Sequence, residues 1–122
     1  MKTILLVDDE LAIIEALTEV LTWEGYKVVS ASNGQEGLAT LAQAPADLVL
    51  LDYMMPVLDG IQTLRALRAD PATKDIPVVM MTAAPAALPD EIRRELPVLR
   101  KPFDVNALLD TIERKLASGS AG

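Results

Sequence analysis

Five short, mostly apolar runs separated by segments with helical periodicity constrain the fold of this chain more than any other feature. The runs cover residues 4–7, 27–31, 48–51, 78–81 and 98–100. Their lengths are typical of strands rather than helices. Because most of them are nearly continuous in apolar residues instead of alternating with polar ones, they indicate burial on both faces, as in a parallel sheet covered by helices.

The segments between the runs carry apolar residues at helical spacing. These stripes are Ile14, Leu17 and Leu21; Leu38 and Leu41; Ile61, Leu64 and Leu67; and Leu108, Ile112 and Leu116. The last stripe predicts a C-terminal helix with Asp104 as its N-cap. Strands alternating with helices predict an α/β fold: a doubly wound, five-stranded parallel sheet in the flavodoxin-like order 2-1-3-4-5, with helices on both faces.

Length and composition limit the chain to one domain with an aliphatic core. It has 122 residues, of which 51% are hydrophobic and only 3% aromatic, so Leu, Ile, Val, Met and Ala must fill the interior. We predict a domain over residues 1–117 and a flexible tail over residues 118–122, whose Ser-Gly-Ser-Ala-Gly sequence is typical of a linker.

Charge and missing residue types exclude several functions. The net charge of −7 argues against direct binding to nucleic acid or to an anionic membrane. Cys and His are both absent, which excludes thiol nucleophiles, His-ligated zinc and a phosphohistidine within the chain. The first apolar run is too short for a signal peptide or a membrane span, so a cytoplasmic location is expected.

Polar residues follow four of the five predicted strands. Asp8 and Asp9 come after the first strand, Asp52 after the third, Thr82 after the fourth and Lys101 after the fifth. In a doubly wound sheet, ligands bind outside the carboxyl ends of the strands. We therefore expect two acidic positions, a hydroxyl and an ammonium group to meet at one edge of the sheet.

Each of these features has an ordinary structural explanation when it is taken alone. Asp8, Asp9 and Glu10 would suit the N-terminus of the first helix, and Asp59-Gly60 is typical of a turn. A single Lys is usually solvated. Their convergence at one end of one sheet favours a functional site.

Four sequence motifs resemble the receiver domains of bacterial response regulators. They are Val7-Asp8-Asp9-Glu10, Leu51-Asp52-Tyr53-Met54-Met55-Pro56 with Asp59-Gly60, Met81-Thr82-Ala83, and Lys101-Pro102-Phe103. The resemblance covers essentially the whole chain. It implies a signalling switch rather than a turnover enzyme, in which Asp52 accepts a phosphoryl group.

The resemblance also implies a magnesium site. Close carboxylates repel by about 4 kcal/mol at an effective dielectric of about 20, and oxygen-only ligands with room for water suit Mg²⁺. Asp9, Asp52 and the backbone carbonyl of Met54 would ligate the ion, with Asp8 acting largely through bound water.

The remaining roles in the site follow from the same resemblance. Thr82 and Lys101 would contact the phosphoryl oxygens, and the Lys101–Pro102 peptide bond would be cis. Since the chain has no His, the phosphoryl donor would be a sensor histidine kinase or a histidine phosphotransfer protein. A downstream protein target or output domain would receive the signal.

The chain departs from the family pattern at the output end. Receivers usually carry Tyr or Phe three residues before the Lys, and here that position is Val98. The stretch between Thr82 and Lys101 is short and contains Pro85, Pro89 and Pro97, so we expect a short fourth helix over residues 90–96. Signal should therefore pass through residues 83–97.

Two alternatives compete with a phosphorylated receiver. One is a receiver-like interaction module that works without phosphorylation, which Val98 favours. The other is a phosphatase of the haloacid dehalogenase type, which would need an Asp where this chain has Met54 and additional length for a cap domain.

Overall fold

The structure is a computed structural model that describes residues 1–102 and 104–119. Strands and helices alternate as predicted: β1 Thr3–Val7, α1 Leu11–Trp23, β2 Lys27–Ala31, α2 Gly34–Gln43, β3 Leu48–Asp52, α3 Gly60–Ala69, β4 Val78–Thr82, α4 Asp90–Glu95, β5 Val98–Arg100 and α5 Val105–Gly119. The strand boundaries differ from the prediction by at most one residue. No described helix combines the length and apolar character needed to cross a membrane.

The five strands form one parallel sheet in the order β2-β1-β3-β4-β5, which confirms the predicted fold. Successive residues of β1, β3 and β4 contribute to cores on opposite faces. One core joins the sheet to α2, α3 and α4; the other joins it to α1 and α5. Both faces of the central strands are therefore buried away from solvent, which explains their unbroken apolar sequence.

Three of the helices have an N-cap residue whose side chain accepts a hydrogen bond from the first turn. Asn33 accepts a hydrogen bond from the Glu36 amide at 2.8 Å, and Asp104 accepts one from the Asn106 amide at 3.2 Å, as predicted. Asp59 was expected to belong to a turn, but it is the N-cap of α3. Its carboxylate accepts from the Gln62 amide at 2.8 Å, while the Gln62 side chain accepts from the Asp59 amide at 2.9 Å, which is a capping box.

The segment between β4 and β5 contains little regular helix. A single 3₁₀ turn covers Pro85–Ala87, and α4 has only six residues, one fewer than predicted. Buried Leu88, Ile92 and Leu96 attach the segment to the core. Two ion pairs at the surface, Arg65–Glu91 and the partly buried Arg68–Glu95, connect α4 to α3 at 3.6 Å each, and surface pairs contribute little stability.

The predicted tail is only partly within the described residues. The backbone of α5 continues through Gly119, so Ser118 and Gly119 belong to the helix. Residues 120–122 lie outside the described residues, as does Phe103 of the Lys-Pro-Phe motif. The domain boundary at residue 117 stays a prediction.

The loop between β3 and α3 contains a strained turn at Val57. Val57 has a φ of 71°, and the Leu58 amide donates to the Pro56 carbonyl at 2.8 Å across it. This is a γ-turn with positive φ, a conformation that is unfavourable for a β-branched residue. Because the Val57 side chain is 73% exposed, packing does little to compensate.

Replacing Val57 with Gly should therefore stabilise the domain. Relief of strain of about 1–3 kcal/mol should exceed the entropic cost of about 0.5–1 kcal/mol for a new glycine. Urea unfolding should show a net gain of about 1 kcal/mol. Val105→Gly, an exposed Val→Gly change in the first turn of α5, should lower stability instead. A loss in V57G as large as that in V105G would contradict a strained turn.

Candidate functional site

Three carboxylates gather at the carboxyl edge of the sheet, where β1 and β3 end side by side. Asp8 follows β1, Asp52 is the last residue of β3 and Asp9 lies at the entrance to α1. One oxygen from each lies within 4.8 Å of the others. Asp8 and Asp52 are 0% and 4% exposed, whereas Asp9 is exposed to solvent. The topology thus brings together the three acidic residues that the strand-end pattern singled out.

Helix capping explains only part of this acidic sequence. Glu10 is the N-cap of α1, but its side chain makes no capping hydrogen bond. The Asp8 carboxylate accepts the Glu10 amide through Oδ1 at 2.9 Å and the Lys101 ammonium through Oδ2 at 2.7 Å. Asp8 therefore joins the start of α1 to the end of β5.

Lys101 is the cation that balances the cluster. Its Nζ lies 2.7 Å from Asp8 Oδ2, 3.2 Å from Asp52 Oδ1 and 3.6 Å from Glu10 Oε1, and its side chain is only 13% exposed. Burial alone would lower the pKa of Lys101, but the hydrogen bond to Asp8 and the charge of Asp52 raise it. Lys101 is therefore a fixed positive charge at this edge of the sheet.

Backbone geometry fixes the place of Lys101. The Lys101 amide donates to the Thr82 carbonyl at 2.8 Å, which continues the β4–β5 pairing by one residue. The Lys101–Pro102 peptide bond is cis, as the family resemblance implies.

Asp52 carries the most perturbed carboxyl of the cluster. Burial, followed by the negative charge of Asp8, raises the pKa of Asp52 to about 6, although Lys101 opposes the shift. One ammonium cannot neutralise three neighbouring carboxylates, so this edge of the sheet has excess negative charge. The donor set consists only of oxygens, two buried and one exposed, and such a set fits a hard divalent cation such as Mg²⁺.

Thr82 occupies the corresponding end of β4. It is 1% exposed, and its Oγ1 accepts a hydrogen bond from the Ala84 amide at 3.1 Å. The hydroxyl thus connects the edge of the sheet directly to the segment that leads into α4. Sequence reasoning chose Thr82 for its hydroxyl but did not foresee the Ala84 amide.

The loop after Asp52 is held close to the strand by Gly60. The Gly60 amide donates to the Tyr53 carbonyl at 2.8 Å, and a Cβ on Gly60 would lie 2.7 Å from the Asp52 carbonyl oxygen. Only glycine fits at this approach. Met54, whose carbonyl was predicted as a metal ligand, lies in this loop with its side chain 67% exposed.

Val98 and Glu10 are two further residues that the sequence analysis considered. Val98 pairs with Met80 in the sheet and packs half-buried against the core formed with α2, α3 and α4. Glu10 was considered in the sequence only as a residue that would suit the helix N-terminus, and its contact with Lys101 was not predicted. The position of Glu10 directly after Asp8 and Asp9 was the available sequence signal for such a contact. The partner, Lys101, lies near the other end of the chain.

Comparison with known proteins agrees with this geometry. Residues 4–113 match the model of the response regulator receiver domain family. The chain is 38% identical over 121 residues to protein PilH of Pseudomonas aeruginosa, covering 96% of this chain and 99% of PilH. It is 44% identical over 82 residues to the phosphate regulon transcriptional regulatory protein PhoB of the same organism, covering 67% of this chain and 36% of PhoB.

Solved structures show the same architecture. The chemotaxis protein CheY4 of Vibrio cholerae superimposes with a TM-score of 0.84 at 31% identity, covering 94% of this chain and 98% of CheY4. Several curated relatives are longer, and the chain spans 36%, 49% and 54% of the lengths of three transcriptional regulators. The match over residues 4–113, together with the predicted sheet order and the acidic cluster, establishes that this chain belongs to the response regulator receiver domain family.

Proposed function

We propose that this receiver domain accepts a phosphoryl group on Asp52 from a phosphohistidine of a partner protein and changes its binding surface in response. The observation that carries the proposal is the cluster of Asp8, Asp9 and Asp52 at the carboxyl edge of the sheet, with Lys101 paired to Asp8 and Asp52. The partner would be a sensor histidine kinase or a histidine phosphotransfer protein, because this chain contains no His.

The chemistry is an in-line transfer in which an oxygen of Asp52 forms a bond to phosphorus while the bond from phosphorus to the donor nitrogen breaks. Asp9, Asp52 and the Met54 carbonyl would ligate Mg²⁺, with Asp8 acting largely through bound water, and the ion would offset negative charge on the phosphoryl oxygens. Lys101, now hydrogen-bonded to Asp8, would turn its ammonium towards a phosphoryl oxygen. Thr82 would donate its hydroxyl proton to another.

The phosphorylated form would be a signal and not a step in metabolic turnover. Hydrolysis of the acyl phosphate on Asp52 would reset the domain, and a protein target or output domain would read its state. We place this exchange in the cytoplasm and expect no direct contact of this domain with nucleic acid or membrane, given the net charge of −7.

A phosphorylation-independent interaction module is the second candidate. Val98 supports it, since a half-buried valine replaces the aromatic residue that the family resemblance implies. Against it stands the complete set of acidic, hydroxyl and ammonium groups at the edge of the sheet.

Intact-mass measurement after incubation with acetyl phosphate and Mg²⁺ tests the central proposal. One phosphoryl group should add to the wild type and none to Asp52→Asn, which lacks the nucleophile. Asp75→Asn, at the opposite end of the sheet before β4, should be phosphorylated like wild type. An undiminished mass shift in D52N would show that the acceptor is another residue, and no shift in wild type would favour the interaction module.

Magnesium should stabilise the folded domain because it binds only where the three carboxylates are assembled. At 10 times its Kd the gain should be about 1.4 kcal/mol, measured as a rise in Tm. Asp9→Ala should lose most of this gain, whereas Glu113→Ala on α5 should keep it. If D9A gains as much as wild type, Asp9 is not a ligand.

Without metal, stability should fall as pH rises through the range in which Asp52 ionises. The folded-state pKa of about 6 lies above the ordinary value of 3.8, so the stabilising contribution is fully present below about pH 4 and is lost as pH rises through about 6. In EDTA, Asp52→Asn should be more stable than wild type at pH 7.5, by on the order of 1 to 3 kcal/mol. The difference should shrink towards pH 4.5. A difference independent of pH, as expected for Asp75→Asn, would contradict this origin.

The phosphoryl signal should pass through residues 83–97. If the Thr82 hydroxyl turns to a phosphoryl oxygen, its hydrogen bond from the Ala84 amide changes, and the 3₁₀ turn and α4 follow. Amide shifts with and without beryllofluoride should therefore be largest in this segment, which displays Arg93 and Arg94. Shifts centred on Val98 and Leu99, with residues 84–96 unmoved, would show that β5 carries the signal instead.

A further inference from the structure

Trp23 stands almost fully in solvent at the C-terminal end of α1. It is the only tryptophan of the chain, and it is 89% exposed. A single exposed apolar side chain needs no explanation by itself. Trp23, however, also lines two concave surfaces.

Concave surfaces lie on both sides of the indole. A groove of about 760 Å³ runs between α1 and the edge strand β2, lined by Ile14, Glu15, Thr18, Glu19, Thr22, Trp23 and Ser30. A smaller hollow of about 250 Å³ is lined by Glu19, Val20, Trp23 and Glu24. We call these two surfaces together the α1 groove.

The charges of the α1 groove all have one sign. Glu15, Glu19 and Glu24 are exposed, no lysine or arginine lines either surface, and none of the three takes part in an ion pair among residues 1–102 and 104–117. The α1 groove therefore combines an aromatic wall with uncompensated negative charge.

We propose that the α1 groove docks a basic amphipathic helix of a partner protein. The apolar face of such a helix would cover Ile14 and the indole of Trp23. Its lysines or arginines would lie against Glu15, Glu19 and Glu24 and over the indole face, where a cation is attracted by the ring. A second copy of this chain is the weaker occupant, because two like-charged grooves of a protein with a net charge of −7 repel each other.

The Trp23 end of the proposed surface lies far from the phosphoacceptor site, whereas its other end reaches Ile14 near the start of α1. Asp9 precedes the first residue of α1 and Trp23 is the last, so about 18 Å of helix lies between the two ends. Docking at the α1 groove therefore does not require that Asp52 be phosphorylated, and the two proposals fail independently.

The single tryptophan gives a direct test. An 18-residue helical peptide with leucines on one face and lysines and arginines on the other should shift Trp23 emission to the blue as the indole leaves water. A peptide with the same leucines and glutamates in place of the basic residues should not bind. The double variant Glu15→Gln/Glu19→Gln should weaken binding by about tenfold, whereas Glu113→Gln/Asp110→Asn, with the same loss of charge on α5, should change it by less than about twofold.

Two further variants decide between the possible results. Trp23→Ala, followed by calorimetry and checked for folding by circular dichroism, should lose at least about tenfold in affinity, and Asp52→Asn should bind like wild type. Absence of a blue shift with the basic peptide, equal weakening by both double variants, or equal binding of the acidic peptide would overturn the proposal. So would sedimentation showing a dimer that W23A dissociates, since the groove would then be covered by a second copy.

Discussion

The site depends on the ion pairs that one nearly buried ammonium, that of Lys101, makes with two of the three clustered carboxylates at the edge of the parallel sheet. Asp8 and Asp52 are almost fully buried, and each would be costly to ionise there without a cation. Lys101 lies within 3.2 Å of both, yet a single positive charge leaves the cluster negative, and burial together with Asp8 still raises the pKa of Asp52 to about 6. The cluster therefore keeps an excess of negative charge, which a divalent cation held by the same oxygens would offset.

The remainder of the fold keeps these charges close together. Two aliphatic cores clamp β1, β3 and β4 from both faces, so the ends of the strands cannot move apart without exposing Leu, Val and Met side chains. Gly60 lets the loop after Asp52 fold back onto the strand, and the γ-turn at Val57 concentrates strain in that same loop. The buried strands and the close approach at Gly60 together fix the positions of the acidic residues.

The segment between β4 and β5 is built differently from the acidic pocket. Thr82 is buried, but its hydroxyl accepts from Ala84 at the start of a segment that contains one 3₁₀ turn and a six-residue helix. That segment is attached by Leu88, Ile92 and Leu96 and by two surface ion pairs to α3. Val98, in contrast, is a β-branched residue with a stiff side chain that packs into the core. The connection from Thr82 to the surface that we propose to carry the signal therefore runs through the backbone after β4, at the Ala84 amide, and not through the side chain of Val98.

The sequence alone determined the strands and the residues at their ends, because a strand buried on both faces must be apolar throughout and must end where polar residues begin. The strand order was expected from the flavodoxin-like class and was confirmed only by the tertiary structure. It did not reveal the contact of Glu10 with Lys101, the Ala84 amide on Thr82 or the capping role of Asp59. The contact of Glu10 with Lys101 joins residues 91 positions apart. The Ala84 hydrogen bond and the Asp59 cap depend on local backbone geometry, which the pattern of apolar residues does not predict. The groove beside Trp23 was also invisible, since α1 and the edge strand β2 define it jointly. The order of residues along the chain predicts which of them are buried. Charge partners and concave surfaces, in contrast, form only when segments that are distant in sequence are brought side by side.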